Sequence, residues 1–241
     1  MTPPPVDPWV DAAAIRIADA IVRAAAEADD GLARVAVAGG KTPAPVYRRL
    51  VDLGHVDWSR VLIYFGDERR VPPDHAESNY RMVRETLLDP AGLEPSQVFP
   101  MDGARPEGDT AAAEYADLLP VPLPVLILGI GEDGHTASLF PGSPALEERT
   151  RHVVAVPAAG ARRARLTITP PVITEARRVL VLARGIRKAP AVARALGGAW
   201  DPGACPAQLA RHGTWLVDPE AAASLSPRSI HITGTGTPPR V

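Results

Sequence analysis

Pro124-Val125-Leu126-Ile127-Leu128-Gly129-Ile130-Gly131-Glu132-Asp133-Gly134-His135-Thr136-Ala137-Ser138-Leu139-Phe140-Pro141-Gly142 is the stretch whose reading decides the fold. It opens on an unbroken apolar run, the pattern of a strand buried on both faces, and turns at once into three glycines carrying an acid and an imidazole. In an open α/β sheet, ligands bind outside the carboxyl ends of the strands. A titratable pair in a glycine loop just past a buried strand therefore stands where chemistry is expected.

The same grammar recurs on either side. Residues 34–38 form an apolar run into Gly39-Gly40-Lys41-Thr42-Pro43, after which Val46, Tyr47 and Leu50 mark a helix. Residues 61–65 predict a second strand, which delivers the charged run Gly66-Asp67-Glu68-Arg69-Arg70 as a loop at its end. A long amphipathic helix over residues 9–29 precedes both, with Val10, Ala14, Ile17, Ala18, Ile21 and Ala25 at helical spacing. Ser78 is placed to cap a helix over 79–88 that Asp89-Pro90 closes, and an Ala-rich helix follows over 110–118. Beyond the central loop, strands are expected at 152–156, 165–169, 179–183 and 213–217. Helices are expected after Pro170-Pro171, over 186–196, and after the cap pair Asp218-Pro219.

Strands alternating with helices predict an α/β fold, with a mostly parallel Rossmann-like sheet and helices on both faces. No repeat, composition shift or long linker divides the chain. The expectation is one α/β domain over 1–241, with Pro-rich 1–8 and Gly/Thr/Pro-rich 234–241 as unstructured tails.

Composition narrows the function. A hydrophobic fraction of 46% with 22% charged residues is that of a globular chain. A net charge of -2 gives neither a basic field for nucleic acid nor a polybasic face for a membrane. The single Cys205 excludes an internal disulfide, and no signal peptide is recognisable, so a cytoplasmic protein is expected.

Three partial motifs stand in the sequence. Gly129, Gly131 and Gly134 have dinucleotide-loop spacing, but Pro141-Gly142 cuts short the helix that motif requires, and the next strand ends in Pro157 rather than an acid. Gly40-Lys41-Thr42 ends like a Walker A loop, yet Val35 holds the position of its first glycine. What survives is an anion cradle: glycines at a strand end, a hydroxyl, a lysine and a proline opening a helix, with N–H groups at a positive helix terminus. Asp133-Gly134-His135 lacks partners at metal-ligand spacing, so no metal and no cofactor are expected. An imidazole has an ordinary pKa of about 6.5 and is mostly neutral at cytosolic pH, as a general base must be; the nearby acid can orient it.

Taken in order, Val37-Ala38-Gly39-Gly40-Lys41-Thr42-Pro43, Phe65-Gly66-Asp67-Glu68-Arg69 with Ser78-Asn79-Tyr80-Arg81, and the central loop to Gly142 resemble the signature blocks of the 6-phosphogluconolactonase family. Arg165-Leu166-Thr167-Ile168-Thr169 and Gly185-Ile186-Arg187-Lys188-Ala189 are similar to its later blocks. The resemblance covers nearly the whole chain. It implies hydrolysis of 6-phospho-D-glucono-1,5-lactone in the oxidative pentose phosphate pathway. His135 would be the general base and Asp133 its partner, and Gly39, Gly40, Lys41, Thr42, Asp67, Arg69, Arg165 and Lys188 would bind substrate. Asp67 is read either as a substrate contact or as a carboxylate orienting Arg69, and N–H groups of the glycine loop as candidate oxyanion donors. The expected partner is a small sugar-phosphate lactone, the expected assembly a monomer or small homo-oligomer.

Glucosamine-6-phosphate deaminases share the fold and a similar loop, but carry a Glu five residues after the His, where this chain has Phe140. A non-catalytic sugar-phosphate-binding protein is the other alternative. Lys41 departs from the pattern, since many relatives have Ser there.

Overall fold

The computed structural model describes residues 6–226. Residues 1–5 and 227–241, and with them the expected 234–241 tail, lie outside the described residues. The amino-terminal lead-in is shorter than expected. Asp7 Oδ1 accepts from the backbone N–H groups of Trp9 and Val10 at 2.9 and 3.2 Å, capping helix α1, Pro8–Glu27, with Pro8 in its first turn.

Six strands form the main sheet: β1 (Ala33–Val37), β2 (Val61–Phe65), β4 (Val98–Phe99), β5 (Val125–Gly129), β8 (Val179–Ala183) and β9 (Thr214–Val217). Their spatial order is β4-β2-β1-β5-β8-β9, and every pairing is parallel. Side chains alternate across a strand, so the burial of all four of Val125 to Leu128 means that both faces of β5 are covered. The chain steps from β1 outward to β2 through α2 (Pro43–Asp52), and from β8 outward to β9, in the opposite direction, through α7 (Ala189–Gly197). Right-handed crossovers in two opposed directions put those helices on opposite faces. The expected fold class is what the chain adopts.

The order reverses between β1 and β5. The loops that follow these two neighbouring strands, Gly39 to Thr42 and Ile130 to Gly142, therefore flank a topological switch point, where an open α/β sheet leaves a crevice.

Two strands expected in the main sheet lie elsewhere. β6 (Val153–Val156) and β7 (Arg165–Ile168) are antiparallel, and with β3 (Asp67–Arg69) they make a separate three-stranded sheet in the order β3-β7-β6. The charged run after β2, expected as a loop, is thus a strand at 67–69. Gly66 joins the two sheets, donating its N–H to Val37 O at 3.0 Å and accepting from Ile168 N at 2.9 Å.

Two further elements differ from expectation. Helix α3 (Asn79–Val83) continues through a π-helical turn at Arg84–Leu88 into α4 (Asp89–Ala91), so Asp89-Pro90 does not end it. The wide turn lets Asp89 N–H reach Arg84 O, and the left-handed Gly92, φ 66°, makes the stop. After Asp218 the chain forms successive turns rather than a helix. The Asp218 carboxylate is shared between Ala221 N–H at 2.8 Å and Gly185 N–H at 3.0 Å, which ties it to the turn before α7.

Two buried tyrosines fix the strand ends that carry the site. Tyr47 Oη donates to Ala38 O at 2.9 Å and accepts from Ala38 N at 3.1 Å. Tyr115, on α5 (Gly108–Leu118), accepts from Phe65 N at 2.7 Å. Burial pushes both phenols above their ordinary range, so they stay neutral donors.

Candidate active site

At the carboxyl ends of the parallel strands a cleft of about 530 Å³ opens, a size suited to a small ligand. All ten residues singled out from sequence line it: Gly39, Gly40, Lys41, Thr42, Asp67, Arg69, Asp133, His135, Arg165 and Lys188. Asn79, Glu132, Ala137, Phe140 and Arg162 line it too.

The first wall is the turn after β1. Gly40 has φ 105°, a conformation that L side chains avoid, and Pro43 opens α2. At Gly39 a Cβ would lie 1.8 Å from Asn79 Oδ1, so only glycine fits between turn and side chain. None of the N–H groups of Gly39, Gly40, Lys41 and Thr42 has an acceptor among the described residues. Free N–H groups at the start of a helix form an anion site.

The second wall is the β3–β7 pair. Arg69 and Arg165 are cross-strand partners, two like charges facing each other at the cleft. Burial, then the charge of Arg69, lowers the pKa of Arg165. Arg69 Nη1 donates to Glu77 O, while its buried Nε has no partner among the described residues. Asp67 does not orient Arg69. Its carboxylate accepts from Ser138 Oγ at 2.6 Å and from Asn79 Nδ2 at 3.0 Å, so it ties β3 to the central loop and to α3. Its neighbour Glu68 is buried and points the other way, accepting from Asn79 N and Tyr80 N, each at 2.7 Å. Burial pushes the Glu68 carboxyl up while these N–H groups pull it down.

The third wall is the loop after β5. His135 Nδ1 lies 2.6 Å from Asp133 Oδ1, which also accepts from His135 N–H at 3.0 Å. Hydrogen bonding from His135 lowers the Asp133 pKa to about 2, so at neutral pH the carboxylate can only accept. In the neutral ring the proton therefore sits on Nδ1, leaving the Nε2 lone pair free.

The loop is held from several sides. Thr136 Oγ1 donates to Gly129 O at 2.8 Å, Arg194 Nη2 to Asp133 O at 3.1 Å, and Ala207 N to Gly134 O at 2.9 Å. A Cβ at Gly131 would meet His135 Nδ1 at 2.0 Å, so the glycine makes room for the ring. Gly131 N, Gly134 N and His135 N all donate within the loop, so these three N–H groups of the expected oxyanion donors are already occupied. Phe140 packs on His135 with ring centroids 4.8 Å apart.

Lys188, just ahead of α7, is half-buried. Burial lowers its pKa, while the charges of Glu132 and Asp133 pull it up. Among the described residues no group of three or more His, Cys, Asp or Glu is placed to hold a metal ion. No helix among them is long and apolar enough to cross a membrane.

Sequence reading missed Arg162, Asn79 and Arg194. Asn79 lies in the Ser78-to-Arg81 block, where nothing local marks it as the partner of Asp67. Arg162 lies among other arginines, and nothing in its immediate sequence separates it from Arg163.

Fold and cleft together define an α/β protein of the open, doubly wound class with a cleft at its switch point. A family model described as glucosamine-6-phosphate isomerases/6-phosphogluconolactonase matches residues 8–217, and the chain belongs to that family. It is 40% identical to a 6-phosphogluconolactonase of Mycobacterium tuberculosis, over 92% of this chain and 96% of the relative. It is 33% identical to one of Synechocystis sp., over 90% and 94%. Among solved structures, the 6-phosphogluconolactonase of Trypanosoma brucei superposes with a TM-score of 0.73 at 31% identity, covering 90% of this chain and 96% of that one. A monomeric glucosamine-6-phosphate deaminase, at 24% identity and TM-score 0.76, shares the fold.

Proposed function

We propose that this chain is a 6-phosphogluconolactonase, hydrolysing 6-phospho-D-glucono-1,5-lactone to 6-phospho-D-gluconate in the oxidative pentose phosphate pathway. The observation that carries the reading is His135 with its Nδ1 2.6 Å from Asp133 Oδ1, in the same cleft as an anion cradle and two facing arginines.

In this reading Arg69, Arg165 and the Gly39 to Thr42 turn hold the phosphate. A dianion between the two guanidiniums relieves their repulsion and supplies acceptors to the free N–H groups. Lys188 contributes positive charge. His135 Nε2 takes a proton from water as the water oxygen bonds to C1 of the lactone. Collapse of the tetrahedral adduct breaks the bond from C1 to the ring oxygen, which receives the proton back from Nε2. The carboxylic acid so formed ionises to carboxylate.

Phe140 argues against the deaminase alternative, since it puts an apolar ring where ring-opening deamination needs an acid. The retained His135–Asp133 pair argues against a purely binding role. We further read 1–241 as one domain, working in the cytoplasm as a monomer or small homo-oligomer and without nucleic acid or membrane.

The test is a continuous assay in which the lactone is generated in place and its loss is compared with spontaneous opening. Acceleration of lactone loss, with no ammonia released from glucosamine 6-phosphate, supports the reading; the reverse pattern overturns it.

A further inference from the structure

Arg162 sits on the hairpin between β6 and β7, where Ala159 and Arg162 pair across a turn at Gly160. Its neighbour Arg163 is neutralised by an ion pair with Glu77. Arg162 has no carboxylate partner among the described residues; its guanidinium carbon lies 4.1 Å above the centre of the Phe140 ring. That ring is the one against His135. A cation over an aromatic face is held in place while its N–H donors stay available. Arg162 lines the cleft, and through Phe140 it belongs to the histidine end, whereas Arg69 and Arg165 face each other from β3 and β7.

We infer that Arg162 is a substrate-binding residue for the C1 end, its guanidinium pairing with the negative charge that develops on the lactone carbonyl and persists as the product carboxylate. This rests on the lactone-hydrolysis reading. Opening a lactone turns a neutral carbonyl first into an oxyanion and then into a carboxylate, so donors beside the base stabilise the transition state, and a cationic one also suits the anionic product. The N–H groups of Gly131, Gly134 and His135 are spent inside the loop. The arginine shelved on Phe140 supplies a planar two-pronged face for a carboxylate.

The experiment compares binding of 6-phosphogluconate with that of glucitol 6-phosphate, which keeps the phosphate and hydroxyls but ends in a neutral alcohol at C1. Both are titrated calorimetrically into wild type, Arg162→Ala and Arg162→Lys. The side chain is exposed and outside the core, and thermal melting of each variant checks that the fold is kept. Arg162→Ala is expected to weaken 6-phosphogluconate about 10-fold, the scale of one charge-assisted hydrogen bond, and to leave glucitol 6-phosphate within about 2-fold. Arg162→Lys should recover part of the loss. With the lactone, kcat should fall more than KM rises. Equal weakening of both ligands would place Arg162 at the phosphate, and no weakening of either would remove it from the site; each result overturns the inference alone. If wild type binds neither ligand, the lactone reading falls first.

Discussion

The imidazole of His135 and the carboxylate of Asp133 are joined at 2.6 Å between Nδ1 and Oδ1, and the same oxygen accepts the histidine's own backbone N–H. One carboxylate thus fixes both the tautomer of the ring and the turn that carries it. Asp133→Asn keeps the shape but brings an amide N–H that can flip the tautomer. We expect kcat to fall on the order of 10²-fold or more while KM changes little, measured by initial rates above the spontaneous background. An unchanged kcat would show that the pairing does not serve catalysis.

The Asp133 pKa, lowered to about 2, sets a pH window for stability. A carboxyl depressed in the folded state stabilises fully above its unfolded value of about 3.9, and that contribution is lost as pH falls toward the folded value. Urea midpoints should therefore separate wild type from Asp133→Asn at pH 7, and the separation should shrink between about pH 4 and pH 2. Above that window Asp133 stays ionised and keeps its hold on the ring.

Arg69→Ala removes one of the two facing guanidiniums. Charge-assisted hydrogen bonds are worth roughly 1.5–3 kcal/mol, on the order of a 10- to 150-fold loss in kcat/KM with the phosphorylated lactone. With unphosphorylated gluconolactone, a poorer substrate from the start, the variant should match wild type. Equal damage to both substrates would move Arg69 away from the phosphate.

Gly39→Ala should lower stability by roughly 1–3 kcal/mol, since its Cβ would lie 1.8 Å from the buried Asn79 Oδ1 and one of them must shift. Because Asn79 holds Asp67, and Asp67 holds Ser138 on the central loop, the shift should also raise KM. Denaturant unfolding and steady-state rates on the same preparation test both effects. A variant as stable as wild type would mean that the turn yields more easily than this packing implies.

Much of this was legible in the residues. A buried apolar strand emptying into a glycine turn is a local pattern, and it holds after β1 and β5; those two loops are two walls of one cleft. What sequence could not give was pairing. Asp67-Glu68-Arg69 looks like a charged loop because its burial depends on distant partners: Ser138, Asn79 and the backbone of α3 satisfy the carboxylates. Nothing local tells β6 and β7 to pair antiparallel outside the main sheet. Likewise, Asp218 reads as a helix cap until Gly185 is seen to share its carboxylate. Arg162 was hidden for the same reason, since Phe140, which singles it out, lies 22 residues earlier in the chain.

The most direct test of the central claim is the turnover of His135→Ala on lactone generated in place, with spontaneous opening subtracted. If His135 is the general base, kcat falls on the order of 10²–10⁴-fold with little change in KM, while the folded state and 6-phosphogluconate binding persist. A folded His135→Ala that keeps more than about a third of wild-type kcat, well inside the loss expected for a general base, would contradict the account.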